Sequence, residues 1–203
     1  MNDIPDYAAL RAHMGAINPM AERKVLPALD RHCRAFIALS PFLVLASADA
    51  EGRADASPRG DPPGFMQILN DRTLLLPDRL GNNRVDSFAN ILKAPGVGLI
   101  FFVPGIDETL RVNGTARLMT DNEALAGASV AGKAPRTGLL IAVEEAFFHC
   151  GKALRRAHLW DPAAQVERSC FPSLGRIMAE HTRVSTVEEA ERRIEDAYRT
   201  RLY

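Results

Sequence analysis

Residues 73–92 of the chain, TLLLPDRLGNNRVDSFANIL, change character part-way along. The apolar run at 73–76 is typical of a β-strand, and residues 85–92 have the apolar spacing of an amphipathic helix. The residues between them that carry donor groups or conformational freedom are Arg79, Gly81, Asn82, Asn83 and Arg84. The sequence therefore predicts a strand-to-helix junction that is rich in hydrogen-bond donors.

This junction has the chemistry of an anion site. Free backbone N–H groups and the positive end of the helix dipole attract anions at a helix N-terminus, and arginine offers a planar fork of donors that suits phosphate. The pattern favours a phosphate-binding site for a nucleotide-like ligand. The alternative is that Asn82 or Asn83 only caps the helix, because asparagine is a preferred N-cap residue, while Arg79 and Arg84 are solvated.

Residues 42–150 have mostly the alternation and turn signals of an antiparallel β-protein. Strands are predicted at 42–47, 53–57, 65–69, 73–77, 97–103, 109–119 and 139–149. Helices are predicted at 6–14, 28–39, 84–92, 152–158, 174–181 and 187–199. Seven or so strands with tight turns favour a barrel or sandwich over a doubly wound sheet. We expect one domain over residues 1–203, with a helical N-terminal extension at about 1–40 and a helical C-terminal tail at about 151–203.

The composition argues against several classes of function. The 203 residues include 25 Lys+Arg and 25 Asp+Glu, so the formal charge of zero argues against a nucleic-acid binder that works by neutralising phosphates. No signal peptide is evident, and no apolar stretch approaches the roughly 20 residues that span a bilayer. The three cysteines lie far apart, which suits a reducing cytosol. We expect a cytoplasmic protein that binds neither nucleic acid nor a membrane.

Metal and nucleophile motifs are missing from the sequence. His149 and Cys150 are adjacent at the end of a predicted strand, so their side chains point to opposite faces and cannot easily act on one atom. No C-x-x-C or H-x-x-x-H spacing accompanies them, although tetrahedral zinc needs four convergent ligands. We therefore expect no metal site, and no residue is identified as catalytic.

Two further segments have an unusual polar character. Residues 57–65, SPRGDPPGF, interrupt the β pattern with three prolines and two glycines. They are either a rigid segment against which a flat ring lies or a bulged edge strand with a stiff loop. Alternation along 109–119 places Thr109 and Arg111 on a polar face, which is either exposed to solvent or the wall of a polar pocket.

Four segments, taken together, resemble a known family. They are Ser57–Phe65, Leu76–Arg84, Glu108–Gly114 and Phe147–Ala153, the last followed by LWDP at 159–162. In this order and spacing they cover about residues 20–165 and resemble the FMN-binding split-barrel proteins related to pyridoxamine 5′-phosphate oxidase, more narrowly the bacterial "probable FMN-dependent" branch. The resemblance implies a mainly β fold with flanking helices, in which six strands form a split barrel with Greek-key character.

The resemblance also implies a ligand and its binding residues. It implies a homodimer with two FMN molecules at the interface, each contacted by both subunits. The FMN-binding residues that it implies are Ser57, Pro58, Arg59, Arg79, Asn82, Asn83, Arg84, Thr109, Arg111, Lys152 and Trp160. The strand-to-helix junction would hold the phosphate, residues 57–59 would lie along the isoalloxazine ring, and residues 109–111 would approach the ring or its ribityl chain. Lys152 and Trp160 would make contacts from the partner chain.

Two departures from the family pattern argue against the specific oxidation of pyridoxamine phosphate, but argue less against the cofactor. The true oxidases carry an arginine–lysine pair where this chain has Asn83-Arg84, and their C-terminal arginine/histidine substrate motif is not recognisable after Trp160. The resemblance implies an FMN-dependent oxidoreductase that exchanges electrons or hydride with reduced nicotinamide or a small organic substrate. The alternatives are a non-catalytic flavin carrier or sensor, a split barrel that uses deazaflavin or haem, and an interaction module with an empty barrel.

Overall fold

One antiparallel sheet forms the centre of the fold. The computed structural model describes residues 3–120 and 122–203, and seven strands in this part of the chain pair into the sheet. The strands are β1 Phe42–Ala48, β2 Ala54–Gly60, β3 Gln67–Asn70, β4 Thr73–Pro77, β5 Gly96–Val103, β6 Ile106–Met119 and β7 Gly138–His149. Their spatial order is β2-β1-β5-β6-β7-β4-β3. The predicted class, mainly β with flanking helices, is confirmed.

Helices precede, interrupt and follow the strands. They are α1 Tyr7–Met14, α2 Pro19–Arg23, α3 Arg31–Leu39, α4 Asp86–Lys93, α5 Asn122–Ala126, α6 Lys152–Arg156, α7 Leu174–Thr182 and α8 Val187–Thr200. Every predicted helix is present. The two that were not predicted, α2 and α5, have five residues each, which is too short for a helical period to show in the sequence. None of the helices in the described residues combines the length and the apolar composition that crossing a bilayer requires.

The core lies between the sheet and the helices α3 and α4. Alternate residues of the central strands are buried, such as Leu99 and Phe101 in β5 and Leu110 and Val112 in β6. The helices add the buried side chains Cys33, Phe36, Ile37, Phe88 and Ile91. Each buried side chain of the size of leucine or phenylalanine contributes about 1.5–3 kcal/mol. The same packing therefore holds α4, and the junction that precedes it, against the sheet.

The two ends of the sheet approach each other without pairing. β2 is the edge strand at one end, and its Arg59 reaches Asp78, just after β4, at 2.9 Å. Asp61 and Arg79 join the same two regions at 2.5 Å. The sheet is therefore a split barrel, as the resemblance implied. The described residues form seven strands rather than the six implied, because the short strand β3 pairs with β4 and extends the sheet beyond β7.

Candidate functional site

A cleft opens where the two ends of the sheet approach each other. Its volume is about 550 Å³, within the range of roughly 300–1,000 Å³ that is usual for small-molecule sites. Most of its wall comes from residues 55–60 of β2 and residues 76–88 between β4 and α4. The sequence-predicted residues that line it are Ser57, Pro58, Arg59, Arg79, Asn82, Asn83 and Arg84. The structure thus brings together the segments predicted to bind the ring and the phosphate.

Contacts across the cleft wall hold α4 against the edge strand β2. The Ser87 hydroxyl donates to the Asp55 carboxylate at 2.8 Å. The Arg59 guanidinium lies 5.7 Å from the centre of the Phe88 ring, which is within cation–π range. Because Phe88 is part of the core, the first turn of α4 has a defined position relative to β2.

The turn before α4 leaves the N-terminus of this helix without a side-chain cap. Asn82 Oδ1 accepts a hydrogen bond from the Arg84 backbone N–H at 3.0 Å, so Asn82 closes the turn and does not cap the helix. Asn83 and Val85 have left-handed backbones, with φ of 59° and 54°. The N-cap position is Val85, whose side chain makes no capping hydrogen bond. Among the described residues no side chain caps the first N–H groups of α4, and such free groups at a helix N-terminus favour an anion.

Val85 is strained in this position. A β-branched residue with a left-handed backbone is unusual, because its Cβ substituents crowd the following carbonyl group. Such strain costs about 1–3 kcal/mol and occurs most often at ligand-binding and catalytic sites. The strained residue lies in the wall of the cleft, immediately before the uncapped helix. The strained residue and the uncapped helix N-terminus therefore lie next to each other, as is typical of a ligand-binding turn.

Positive and negative charges balance in the cleft wall. The charged residues that line it are Asp55, Arg59, Asp78, Arg79, Arg84 and Asp86, three of each sign. The ion pairs made by the three arginines are Arg59–Asp78 at 2.9 Å, Arg79–Asp61 at 2.5 Å and Arg84–Asp86 at 2.7 Å. An anion therefore meets directed hydrogen-bond donors in this cleft rather than an excess of positive charge.

Arg84 and Arg79 differ in how deeply their ion pairs are buried, and therefore in how easily each can turn toward a ligand. The Arg84 side chain is 73% exposed and its pair with Asp86 lies at the surface, so exchanging that partner for a ligand costs about 0–1 kcal/mol. Arg79 is held more firmly, because its partner Asp61 is only 2% exposed and the Ala128 carbonyl accepts a second hydrogen bond from it at 2.9 Å. Arg84 is the cation that can turn toward a bound anion.

Arg59 has a donor in the cleft wall that no protein acceptor satisfies. Its Nη1 donates to Asp78, but its Nε is buried and has no hydrogen-bond partner among the described residues. Burial raises the pKa of Asp78 above the usual value, although Arg59 and Arg79 act in the opposite direction. Since an unsatisfied buried donor costs about 1–3 kcal/mol, a ligand acceptor placed beside Arg59 gains that energy.

The other predicted residues do not line this cleft in the part of the chain that the structure describes. They are Thr109, Arg111, Lys152 and Trp160, which lie where β6 begins and β7 ends and in the segment that follows β7. Trp160 Nε1 donates to the Ile106 carbonyl at 2.9 Å, and α6 also packs against β6. Thr109 is only 4% exposed at this covered end of β6, although alternation places it on the same face of the strand as the half-buried Arg111.

Arg111 belongs to a second group of cationic and aromatic side chains, the Phe147 cluster, formed by Lys24, Arg111, Phe147 and His149. The Arg111 guanidinium lies 5.1 Å from the centre of the Phe147 ring, and Lys24 Nζ lies 5.4 Å from the same centre. Burial, together with the charges of Lys24 and Arg111, lowers the pKa of His149. Within residues 3–120 and 122–203, neither cation forms an ion pair with a carboxylate.

Sequence reasoning missed the aspartates and Lys24. Asp61 and Asp78 lie inside the quoted motifs, but no local pattern shows that they meet arginines from the opposite end of the sheet. Lys24 lies beside Phe147 because residue 26 pairs with Ala146 in β7, a contact without a sequence signal. No group of His, Cys, Asp or Glu large enough to hold a metal ion occurs among the described residues.

The region that contains the cleft matches a family model. The model is described as pyridoxamine 5′-phosphate oxidase and matches residues 29–150, more than half of the 203-residue chain. The chain belongs to the pyridoxamine 5′-phosphate oxidase family. All the strands named above and the whole cleft lie inside the match, whereas α1, α2 and α6 to α8 lie outside it.

The chain is similar to several solved structures at low sequence identity. HupZ from Group A Streptococcus is 20% identical over 59% of this chain and 93% of its own chain, with a TM-score of 0.50. A candidate pyridoxamine 5′-phosphate oxidase from Lactobacillus delbrueckii is 21% identical over 60% and 95% of the two chains, with a TM-score of 0.47. An FMN-binding protein from Syntrophomonas wolfei is 11% identical over 58% and 80%, with a TM-score of 0.43. The search of curated proteins found no match.

Proposed function

We propose that this protein binds FMN in the cleft and acts as a flavin-dependent oxidoreductase. The observation that carries the proposal is the uncapped N-terminus of α4, which lines the same cleft as the unsatisfied Nε of Arg59. An anion suits the first feature and a neutral or anionic acceptor suits the second. FMN offers a phosphate and ring carbonyl groups in one molecule. Membership of the pyridoxamine 5′-phosphate oxidase family supports this choice of cofactor.

Each part of the cleft has a proposed task in binding. The N–H groups at the start of α4 and the Arg84 guanidinium would bind the phosphate, with Asn82 and Asn83 shaping the turn. Residues 57–59 of the edge strand would bind the ring. When bound, the flavin supplies hydride and electron transfer, which no protein side chain can provide. Arg59 keeps a positive charge in the wall, which favours a ligand that gains negative charge during reaction.

A homodimer is part of this proposal. Arg111 and Lys24 have no carboxylate partner in the described part of the chain, so they would suit an anionic group supplied by a second subunit or its ligand. Lys152 and Trp160 lie in the segment that follows the same end of β7 and would extend this surface. The partner that reduces the flavin is proposed as reduced nicotinamide or a small organic molecule.

The test is a titration of the purified apo-protein with FMN, followed by flavin fluorescence. Arg84→Ala removes a charged hydrogen-bond donor worth about 1.5–3 kcal/mol, so we expect FMN binding about 10- to 100-fold weaker. Arg72→Ala is the matched control, because Arg72 is an exposed arginine in the turn between β3 and β4, outside the cleft lining. Unchanged affinity in Arg84→Ala would remove this residue from the phosphate site.

Turnover is tested separately from binding. The loaded protein is mixed with NADH or NADPH without oxygen, and the loss of the oxidised flavin absorbance is followed. Bleaching by a nicotinamide would support the oxidoreductase proposal. A protein that binds FMN and is bleached by neither nicotinamide nor by a panel of small organic donors would instead be a flavin carrier or sensor.

A further inference from the structure

The segment that follows α8 returns to the cleft wall. The Tyr203 hydroxyl donates to one carboxylate oxygen of Asp61 at 2.7 Å, and Arg79 Nε donates to the other at 2.5 Å. The Arg79 guanidinium lies 5.7 Å from the centre of the Tyr203 ring, within cation–π range. Lys133 Nζ donates to the Tyr203 carbonyl at 3.0 Å. We call this group of Tyr203, Asp61, Arg79 and Lys133 the Tyr203 clasp.

The clasp joins parts of the chain that are far apart in sequence. Asp61 follows β2, Arg79 follows β4 and Lys133 precedes β7, whereas Tyr203 lies beyond α8. The helices α7 and α8 pack on each other, and neither has an extensive interface with a strand in the described part of the chain. The clasp therefore ties the α7–α8 pair, which lies outside the family match, to the cleft inside it.

The contacts of the clasp determine which donors Arg79 can offer to a ligand. A guanidinium has five N–H donors. Arg79 donates one of these N–H groups to Asp61 and one to the Ala128 carbonyl. Because Arg79 lines the cleft, its other three N–H donors are available for a ligand. The Tyr203 ring packs against the same guanidinium and its hydroxyl holds Asp61. The Asp61 side chain is only 2% exposed, so loss of the Tyr203 hydroxyl would leave the buried Asp61 carboxylate with one hydrogen-bond donor fewer.

We infer that Tyr203 is a positioning residue for the proposed FMN site, because it holds Asp61 and, through Asp61, orients the Arg79 guanidinium in the cleft wall. This inference rests on the proposed function. It gives the helices after the β-region a role in ligand affinity, although α7 and α8 themselves do not line the cleft in the described residues. The hydrogen bond to Asp61 also raises the pKa of the Tyr203 phenol.

The first test measures FMN affinity in a double-mutant cycle. Tyr203→Phe removes the hydroxyl and keeps the ring, and we expect FMN binding 3- to 10-fold weaker. Tyr198→Phe on the exposed side of α8 is the matched control and leaves affinity unchanged. In an Arg79→Ala background, Tyr203→Phe has no further effect, because two residues that act through one contact are not additive. The same fold-loss in both backgrounds, or none in Tyr203→Phe alone, overturns the inference.

The second test needs no ligand. The Arg79 Nε–H resonance of the ligand-free protein is assigned by its loss in Arg79→Lys, and its exchange with water is measured. We expect this hydrogen to be protected in the wild-type protein and in Tyr198→Phe, but to exchange at least tenfold faster in Tyr203→Phe. Equal exchange in all three overturns the inference. If the wild-type protein binds no FMN, the proposed function fails, and this measurement still decides whether Tyr203 orders Arg79.

Discussion

The cleft and the Phe147 cluster both gather cationic side chains, but they compensate the charge differently. In the cleft each arginine meets an aspartate of the same chain, and the lining carries as many negative as positive residues. In the Phe147 cluster, Arg111 and Lys24 pack on an aromatic ring and make no ion pair in the described residues. The number of arginines in a motif therefore does not tell how much positive charge a ligand meets.

This difference separates two ways of binding an anion. A balanced site binds through hydrogen bonds at fixed positions, and its attraction acts over a short range. A site with uncompensated cations also attracts over distances of about a Debye length, roughly 8–10 Å in physiological salt. Under the proposed function, the cleft would therefore provide specific recognition, and the Phe147 cluster would attract the anionic group of a ligand or a second subunit.

The largest expected effect comes from breaking the buried charge pair of the cleft. Asp61→Ala leaves Arg79 without its carboxylate, and we expect the free energy of unfolding to fall by about 3 kcal/mol, the lower end for broken buried pairs, since Arg79 keeps some exposure. Arg111→Ala in the Phe147 cluster should cost less than about 1 kcal/mol, as expected for a cation–π contact near the surface. Urea unfolding of both variants measures the difference, and equal losses would contradict the contrast between the two regions.

A smaller effect should follow from changing the charge balance at the mouth of the cleft. Asp86→Asn frees Arg84 and removes a negative charge beside the helix N-terminus, so we expect FMN to bind about 2- to 5-fold tighter, given surface pairs of about 0.2–1 kcal/mol. Glu51→Gln is the matched control, because Glu51 is an exposed acid paired with Arg53 in the turn between β1 and β2. Weaker binding in Asp86→Asn would show that the phosphate does not lie near this carboxylate.

The smallest effect is a titration shift in the Phe147 cluster. Burial and the nearby cations lower the pKa of His149, so Arg111→Ala should raise it toward the ordinary histidine value. The folded protein binds fewer protons at His149 than the unfolded chain, so this group makes stability fall as pH drops through the histidine range. Arg111→Ala should weaken that pH dependence. Histidine NMR titration measures the pKa directly, and an unmoved value would show that Arg111 does not act on His149.

The secondary structure was predictable because its signals are local. Alternation along β6 and the apolar spacing of α4 follow from residues that lie next to each other in the chain. The polar segments at 57–59 and 79–84 were also visible, since glycine, proline, asparagine and arginine have distinct conformational and donor properties. Their meeting in one cleft was implied by the family resemblance and was not derivable from either segment alone.

The remaining features depend on contacts between distant segments. Asp78 and Arg59 belong to opposite ends of the sheet, and only the closing of the split barrel pairs them. Thr109 alternates like an exposed residue, but α6 and Trp160 cover that end of β6 and bury it. Tyr203 reaches Asp61 from far along the chain. No periodicity or motif reports such long-range contacts.

The most direct test of the account compares FMN with riboflavin, which lacks the phosphate, in titrations of the wild-type apo-protein. If the start of α4 and Arg84 bind the phosphate, FMN should bind with one molecule per chain and at least about 10-fold more tightly than riboflavin, because charged hydrogen bonds contribute about 1.5–3 kcal/mol. Equal affinities for the two flavins, or no binding of either, would contradict the assignment of this cleft as a phosphate-anchored flavin site.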